Sequence, residues 1–136
     1  VMLVDDFAHH PTEIDATLGA ARNMHCNQVW AVFQPYTYSR TARWVDEFAR
    51  SLSAADHVII SKIMGAREKN EWGVTSQDIG EKIPGSYCID EFEEIADFVA
   101  QNAKPGDLVI TMGGGDIYKC ARMIRDRLAE KDVTEV

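Results

Sequence analysis

Short apolar runs alternate with longer stretches in which apolar residues return every three or four positions. The runs Met2–Val4, Val29–Phe33, His57–Ser61, Tyr87–Ile89 and Leu108–Thr111 are each bounded by polar residues, glycine or proline, and predict strands. Between them the helical period is clear. Ile14, Leu18 and Ala21 make one face, and Val45, Phe48, Ala49 and Leu52 a second. Ile79 and Ile83 mark a third helix, and Ile95, Phe98 and Val99 a fourth. A fifth is expected from Ile117 to Leu128, with Ala121, Ile124 and Leu128 facing inward. This alternation predicts an α/β fold: a Rossmann-like, mostly parallel sheet of five to six strands with helices on both faces. Runs such as Val58-Ile59-Ile60 suit strands covered on both sides. The polar tail after Glu130 is expected to fray.

Open α/β sheets bind ligands beyond the carboxyl ends of their strands, so the segments that follow strands carry the candidate chemistry. The first, Asp5-Asp6-Phe7-Ala8-His9-His10-Pro11-Thr12-Glu13, sets two carboxylates and two imidazoles before a helix opened by Pro11. Helix capping alone would use one of Asp5, Asp6 or Thr12, not all of these groups. A zinc site is disfavoured, because adjacent histidines rarely reach one ion and no spaced third His or Cys follows. After the second strand, Arg40 sits nearest the ligand-binding end, where a guanidinium can grip a carboxylate with two parallel bonds. Arg43, one turn on, reads as a solvated helix face. After the last strand, Gly113-Gly114-Gly115-Asp116 allows close backbone approach at a helix start. It lacks G-x-G-x-x-G spacing, which counts against a nicotinamide or flavin site.

The connection Ile63–Val74 is long and charged. Lys62 beside it and Arg67, Glu68 and Lys69 within it read as a solvated face, or as a loop that shields a reaction from water. His25 reads as part of a surface loop. Cys26, Cys88 and Cys120 have no C-x-x-C spacing and read as small buried apolar residues. Trp30, Trp44 and Trp72 read as core or partly covered surface.

Composition narrows the picture. The 136 residues suffice for one domain burying roughly two thirds of its unfolded surface. A net charge of −8 argues against a nucleic-acid partner. No apolar run approaches the ~20 residues of a membrane span, and no secretory pattern opens the chain, so a cytoplasmic protein is expected. The abrupt start on a strand suggests a piece of something larger. No G-x-x-x-x-G-K-[ST] loop occurs, so nothing here is expected to grip ATP phosphates or Mg²⁺.

Four stretches resemble the Mur ligases of peptidoglycan synthesis, and within them the branch that joins L-alanine to UDP-N-acetylmuramate. Asp5–Glu13 is similar to that branch's D-D-Y-G-H-H-P-T-E, and Phe33–Thr41 to its F-Q-P-H-T-Y-S-R-T. Thr111–Ile117 is similar to T-M-G-A-G-D-I, and Ala66–Asn70 with Gly73-Val74 to A-R-E-K-N…G-V. The resemblance implies that 1–136 is the C-terminal, amino-acid-binding domain. The N-terminal sugar-nucleotide domain and the central domain holding ATP and Mg²⁺ would lie outside this chain. It further implies that Asp6 bonds the ATP ribose, that His9 lies by the incoming amino acid, and that Arg40 holds its carboxylate. Asp116 would face the ammonium group, and Gly114 would touch the bound amino acid. Phe7 replaces the branch's tyrosine and Tyr36 its histidine. The D-D-F-A-H-H-P-T wording is also similar to the ligase that recycles murein tripeptide. A non-catalytic Rossmann-type binding module is the reading from another class.

Overall fold

The computed structural model describes residues 1–134. Five parallel strands form one sheet in the order β1-β5-β2-β3-β4: β1 Met2–Asp6, β2 Val29–Phe33, β3 His57–Ile60, β4 Tyr87–Cys88 and β5 Leu108–Met112. The helices are α1 Pro11–Arg22, α2 Tyr38–Arg43, α3 Val45–Leu52, α4 Ser76–Gly80, α5 Phe92–Asn102 and α6 Tyr118–Thr134.

The side-chain alternation of the central strands builds two cores. Along β2, Val29, Ala31 and Phe33 face one side while Trp30 and Val32 face the other. The first set packs with Ile14 and Leu18 of α1, Phe48 and Leu52 of α3, and Ile79 of α4. The second packs with Ile95 and Val99 of α5, and Cys120 and Ile124 of α6. Burying side chains of this size contributes about 1.5–3 kcal/mol each before chain entropy is counted.

Several boundaries differ from expectation, each for a local reason. β1 runs on through Asp5 and Asp6 because its register with β5 continues to Asp6↔Met112, and Thr111 Oγ1 donates to Asp5 Oδ1 at 2.7 Å. β5 likewise extends one residue to Met112, while β3 and β4 stop at Ile60 and Cys88. The expected second helix is preceded by a separate six-residue turn of helix, α2, and the two are divided at Trp44 (φ −121°, ψ 30°). The Trp44 indole lies edge-on to His10, with centroids 4.6 Å apart, and packs against Phe48. α4 ends at Gly80, so buried Ile83 follows it in a turn. Phe98 and Leu128 are only partly covered. α6 starts at Tyr118, after Ile117, and continues past Glu130 to Thr134, so Lys131–Thr134 are helical rather than frayed. The last two residues of the predicted tail lie outside those described.

Cys120 is fully buried, and burial pushes its thiol up to about 12. Cys26 and Cys88 are only half-buried, a correction to the expectation, and all three are free thiols. Trp30 is buried with its Nε1 donating to Asp107, whereas Trp72 is 50% exposed. No described helix is long and apolar enough to cross a membrane.

Candidate functional site

β1 and β2 lead to helices on one face of the sheet, whereas β5 leads to α6 on the other. β5 lies between β1 and β2, so the chain leaves three neighbouring strand ends in opposite directions and opens a crevice there. The three segments singled out by sequence border this crevice.

In the β1–α1 segment nearly every polar group is already engaged. Asp6 Oδ1 accepts from Ala8 N (2.9 Å) and Oδ2 from Thr17 Oγ1 (3.1 Å), tying the loop to the second turn of α1. The N-cap of α1 is His10, not Asp5, Asp6 or Thr12: its Nδ1 accepts from Thr12 N at 3.2 Å. Glu13 completes the capping box, Oε1 accepting from His10 N (3.1 Å) and His9 N (3.2 Å). The His9 N–H bond foremost, then the His9 imidazole, the His10 N–H bond and the His10 imidazole, hold the Glu13 carboxyl below its ordinary value against the opposing effect of desolvation.

The two histidines therefore carry opposite tautomers. His10 Nδ1 accepts, so a neutral His10 bears its proton on Nε2. His9 Nδ1 lies 2.9 Å from the Phe7 carbonyl and 3.5 Å from Glu13 Oε1, both acceptors, so it bears the proton and leaves Nε2 as the basic nitrogen. The His9 ring rests against the β5–α6 turn. A Cβ on Gly114 would stand 3.1 Å from His9 Cγ, so glycine is what lets the two loops meet. Phe7, edge-on to His9 at 5.2 Å, is 68% exposed.

Asp116 is engaged from behind by a residue that sequence reasoning missed. Gln34 follows β2, is 4% exposed, and donates Nε2 to Asp116 Oδ1 at 2.8 Å. Its other amide atom, Oε1, is a buried acceptor without a partner among the described residues, and a Cβ on Gly115 would approach it to 2.7 Å. A glutamine directly after a buried strand and before proline was the available signal. Asp116 Oδ2 lies 3.7 Å from Lys119 Nζ. Gln34 and Asp116 line a cleft of about 580 Å³ with Lys62, Met64, Asp90 and Glu93.

Arg40 stands apart from these contacts. It is exposed on α2, and among the described residues no hydrogen bond or ion pair holds its guanidinium. Its backbone is firmly placed. Thr37, the N-cap, sits at φ 64° and ψ 147°, a conformation disfavoured for a β-branched residue. Thr37 N donates to Met64 O (2.8 Å), and its carbonyl accepts from Thr41 Oγ1 (2.7 Å). The long connection supports it too, because Glu68 accepts from Ser39 N (2.9 Å) and Ser39 Oγ (2.6 Å). Glu68 is thus more than the solvated charge its sequence suggests. Arg43 is exposed, as expected, with its guanidinium over Trp44. Among the described residues no hydrogen bond or ion pair joins Arg40 to Asp6, His9 or Asp116, although His9 and Gly114 do meet.

Residues 1–115 match the family model described as the Mur ligase, glutamate ligase domain. The chain is 46% identical over 131 residues to the UDP-N-acetylmuramate–L-alanine ligase of Caldicellulosiruptor saccharolyticus, covering 93% of this chain and 29% of that protein. It is 52% identical over 123 residues to the enzyme of the same name from Lachnospira eligens, covering 88% and 27%. Among solved structures, a murein peptide ligase from Psychrobacter arcticus superposes with a TM-score of 0.75 at 27% identity, over 93% of this chain and 27% of that one. The chain thus spans under a third of the length of these relatives.

Proposed function

The chain belongs to the Mur ligase family, and from that premise we propose that it is the amino-acid-binding domain of an ATP-dependent ligase joining L-alanine to UDP-N-acetylmuramate. The observation that carries this reading is Arg40: an exposed guanidinium without a hydrogen-bonding partner among the described residues, on a tightly held turn, at the carboxyl end of the sheet. Such a group is poised for a ligand carboxylate. Across the crevice, His9 Nε2 is the nitrogen left to take a proton from the substrate ammonium, giving the neutral amine that attacks the acyl phosphate made from the sugar nucleotide's carboxyl and ATP, with phosphate expelled as the amide forms. Asp116 Oδ2 offers a negative charge to the ammonium before that transfer. Gly114 lets the His9 ring approach. The domain's contribution is then orientation, which turns an encounter into a near-unimolecular step.

The residues of this chain do not fit the triphosphate or a divalent ion. The cleft beside Asp116 is lined by acidic groups with Lys62 as its basic member, and no group of three or more His, Cys, Asp or Glu among the described residues is placed to hold a metal. ATP phosphates and Mg²⁺ belong, in this reading, to a separate central domain, and UDP-N-acetylmuramate to an N-terminal one. Asp6 offers the nucleotide ribose at most a shared carboxylate, since both its oxygens already accept.

The test is phosphate release. The complete ligase should turn over with L-alanine and UDP-N-acetylmuramate, and much less with the murein tripeptide in place of alanine. Purified residues 1–136 should release none. A preference for tripeptide would move the assignment to the recycling branch, and turnover by the isolated chain would overturn the division of labour.

A further inference from the structure

α2, which carries Arg40, is six residues long and too short to hold itself together. Its own N-cap bond, Arg40 N to Thr37 Oγ1, is long at 3.4 Å, and Thr37 sits in a costly conformation. The shortest contact at this helix end comes from outside it: Ser39 Oγ donates to Glu68 on the Ile63–Val74 connection at 2.6 Å, and Ser39 N donates to the same carboxylate at 2.9 Å.

That connection is braced before it reaches Glu68. Tyr36 and Met64 form a parallel bridge. The Tyr38 ring lies so close over Gly65 that a Cβ there would stand 2.3 Å from Tyr38 Cε2. Farther along, the Asn70 side chain closes the loop on itself, donating to Val74 O (2.8 Å) and accepting from Val74 N (3.1 Å). Glu68 is therefore presented from a fixed platform. Its carboxyl is held below the ordinary range, by the Ser39 hydroxyl first and the Ser39 N–H second, with the Arg40 charge adding least.

We propose that Glu68 is a positioning residue for Arg40: by gripping both the N–H and the hydroxyl of Ser39, it fixes the first turn of α2 and so the direction from which the guanidinium meets the amino-acid carboxylate. The inference rests on the proposed role of Arg40. Glu68 is exposed, and water can reach the Ser39 groups once it is gone, so its loss should leave folding nearly untouched. The effect should fall on the amino-acid site.

The experiment is steady-state kinetics of the complete ligase and its Glu68→Ala, Glu68→Gln, Ser39→Ala, Arg40→Ala and Glu68→Ala/Arg40→Ala forms, with melting curves. Glu68→Ala should raise the KM for L-alanine roughly 2–12-fold, the range a lost hydrogen bond typically carries, with the KM for ATP unchanged. Glu68→Gln should stay within about twofold of wild type. Its amide oxygen accepts from the Ser39 N–H while its NH₂ donates to the Ser39 hydroxyl. The double mutant should be no worse than Arg40→Ala alone, because both act through one group. Independent effects of the two mutations, a glutamine variant as poor as the alanine one, or KM values for ATP and alanine rising together would overturn the proposal. The two readings fail separately. A silent Arg40→Ala removes the carboxylate role itself, whereas a strong Arg40→Ala beside a silent Glu68→Ala removes only the positioning role.

Discussion

Two segments that leave neighbouring parts of the sheet solve opposite problems. After β1, the side chains are spent within the loop and its helix: Asp6 on the Ala8 N–H and the Thr17 hydroxyl, His10 on the Thr12 N–H, Glu13 on the His9 and His10 N–H groups. After β2, the backbone is held by neighbours, through Met64, Thr41 and Glu68, and the Arg40 guanidinium is left unengaged. In both loops the residues are polar and borders of the same crevice. In the proposed reading Arg40 differs from Asp6, His10 and Glu13 in that no hydrogen bond or ion pair among the described residues engages its charged group, which leaves it open to a ligand carboxylate.

The largest expected effect tests the unengaged side. Loss of a charge-assisted carboxylate contact costs about 1.5–3 kcal/mol, so Arg40→Ala in the complete ligase should weaken apparent L-alanine affinity roughly 10–100-fold. Lysine should recover only part of that, lacking the two-bond fork. The melting temperature should barely change. A loss of several degrees with unaltered alanine dependence would place Arg40 among the structural groups and erase the contrast.

Asp6→Ala probes the engaged side and should give the reverse pattern. It strips the acceptors from Ala8 N–H and the Thr17 hydroxyl, both in a part-buried setting, at a cost of about 1–2 kcal/mol. The Tm should fall by several degrees for a domain of this size. If Asp6 also bonds the ATP ribose, the KM for ATP should rise as well, while that for alanine stays close to wild type. A raised ATP KM at unchanged stability would mean that the two bonds seen here give way when nucleotide binds.

The sequence made one half of this contrast readable. Short apolar runs bounded by polar residues, glycine or proline located all five strands, and the spacing of Ile14, Leu18 and Ala21 located α1, because burial on a regular element leaves a trace in the sequence. His9, Arg40, Gly114 and Asp116 were picked out by their place after strands, and the fold puts each at that end. What stayed hidden depends on contacts between distant residues. Ser39 and Glu68 are 29 positions apart, and Gln34 and Asp116 are 82 apart, with no local pattern to link them. The break at Trp44 has neither proline nor glycine to announce it, only an indole drawn to His10. The positive φ of Thr37 runs against the residue's own preference, so propensity points away from it. The cap of α1 fell to His10 because an imidazole nitrogen can stand in for the more usual Ser, Thr, Asp or Asn oxygen.

The smallest expected effect lies at Glu13, and it sharpens the contrast by asking whether the engaged side is engaged in solution. The His9 and His10 N–H groups bond the charged form of its carboxylate, which lowers its value from the ordinary 4.5. A carboxyl depressed in the folded state stabilises the fold fully above its unfolded value and loses that contribution as pH falls through the folded one. Between pH 7 and 5, Glu13 should therefore leave the pH dependence of stability unchanged. Below about 4.3 the wild-type Tm should begin to fall faster than that of Glu13→Gln, whose amide can still cap but cannot titrate. The difference should be slight, since the side chain is 51% exposed and water competes for the same donors. Carboxyl-carbon NMR gives the direct reading, with the Glu13 midpoint expected below that of an unstructured glutamate. A midpoint at or above the ordinary value would show the capping box open in solution. His9 would then lose the Glu13 contacts and keep only its bond to the Phe7 carbonyl, and the β1–α1 loop would stand closer in kind to the turn that carries Arg40.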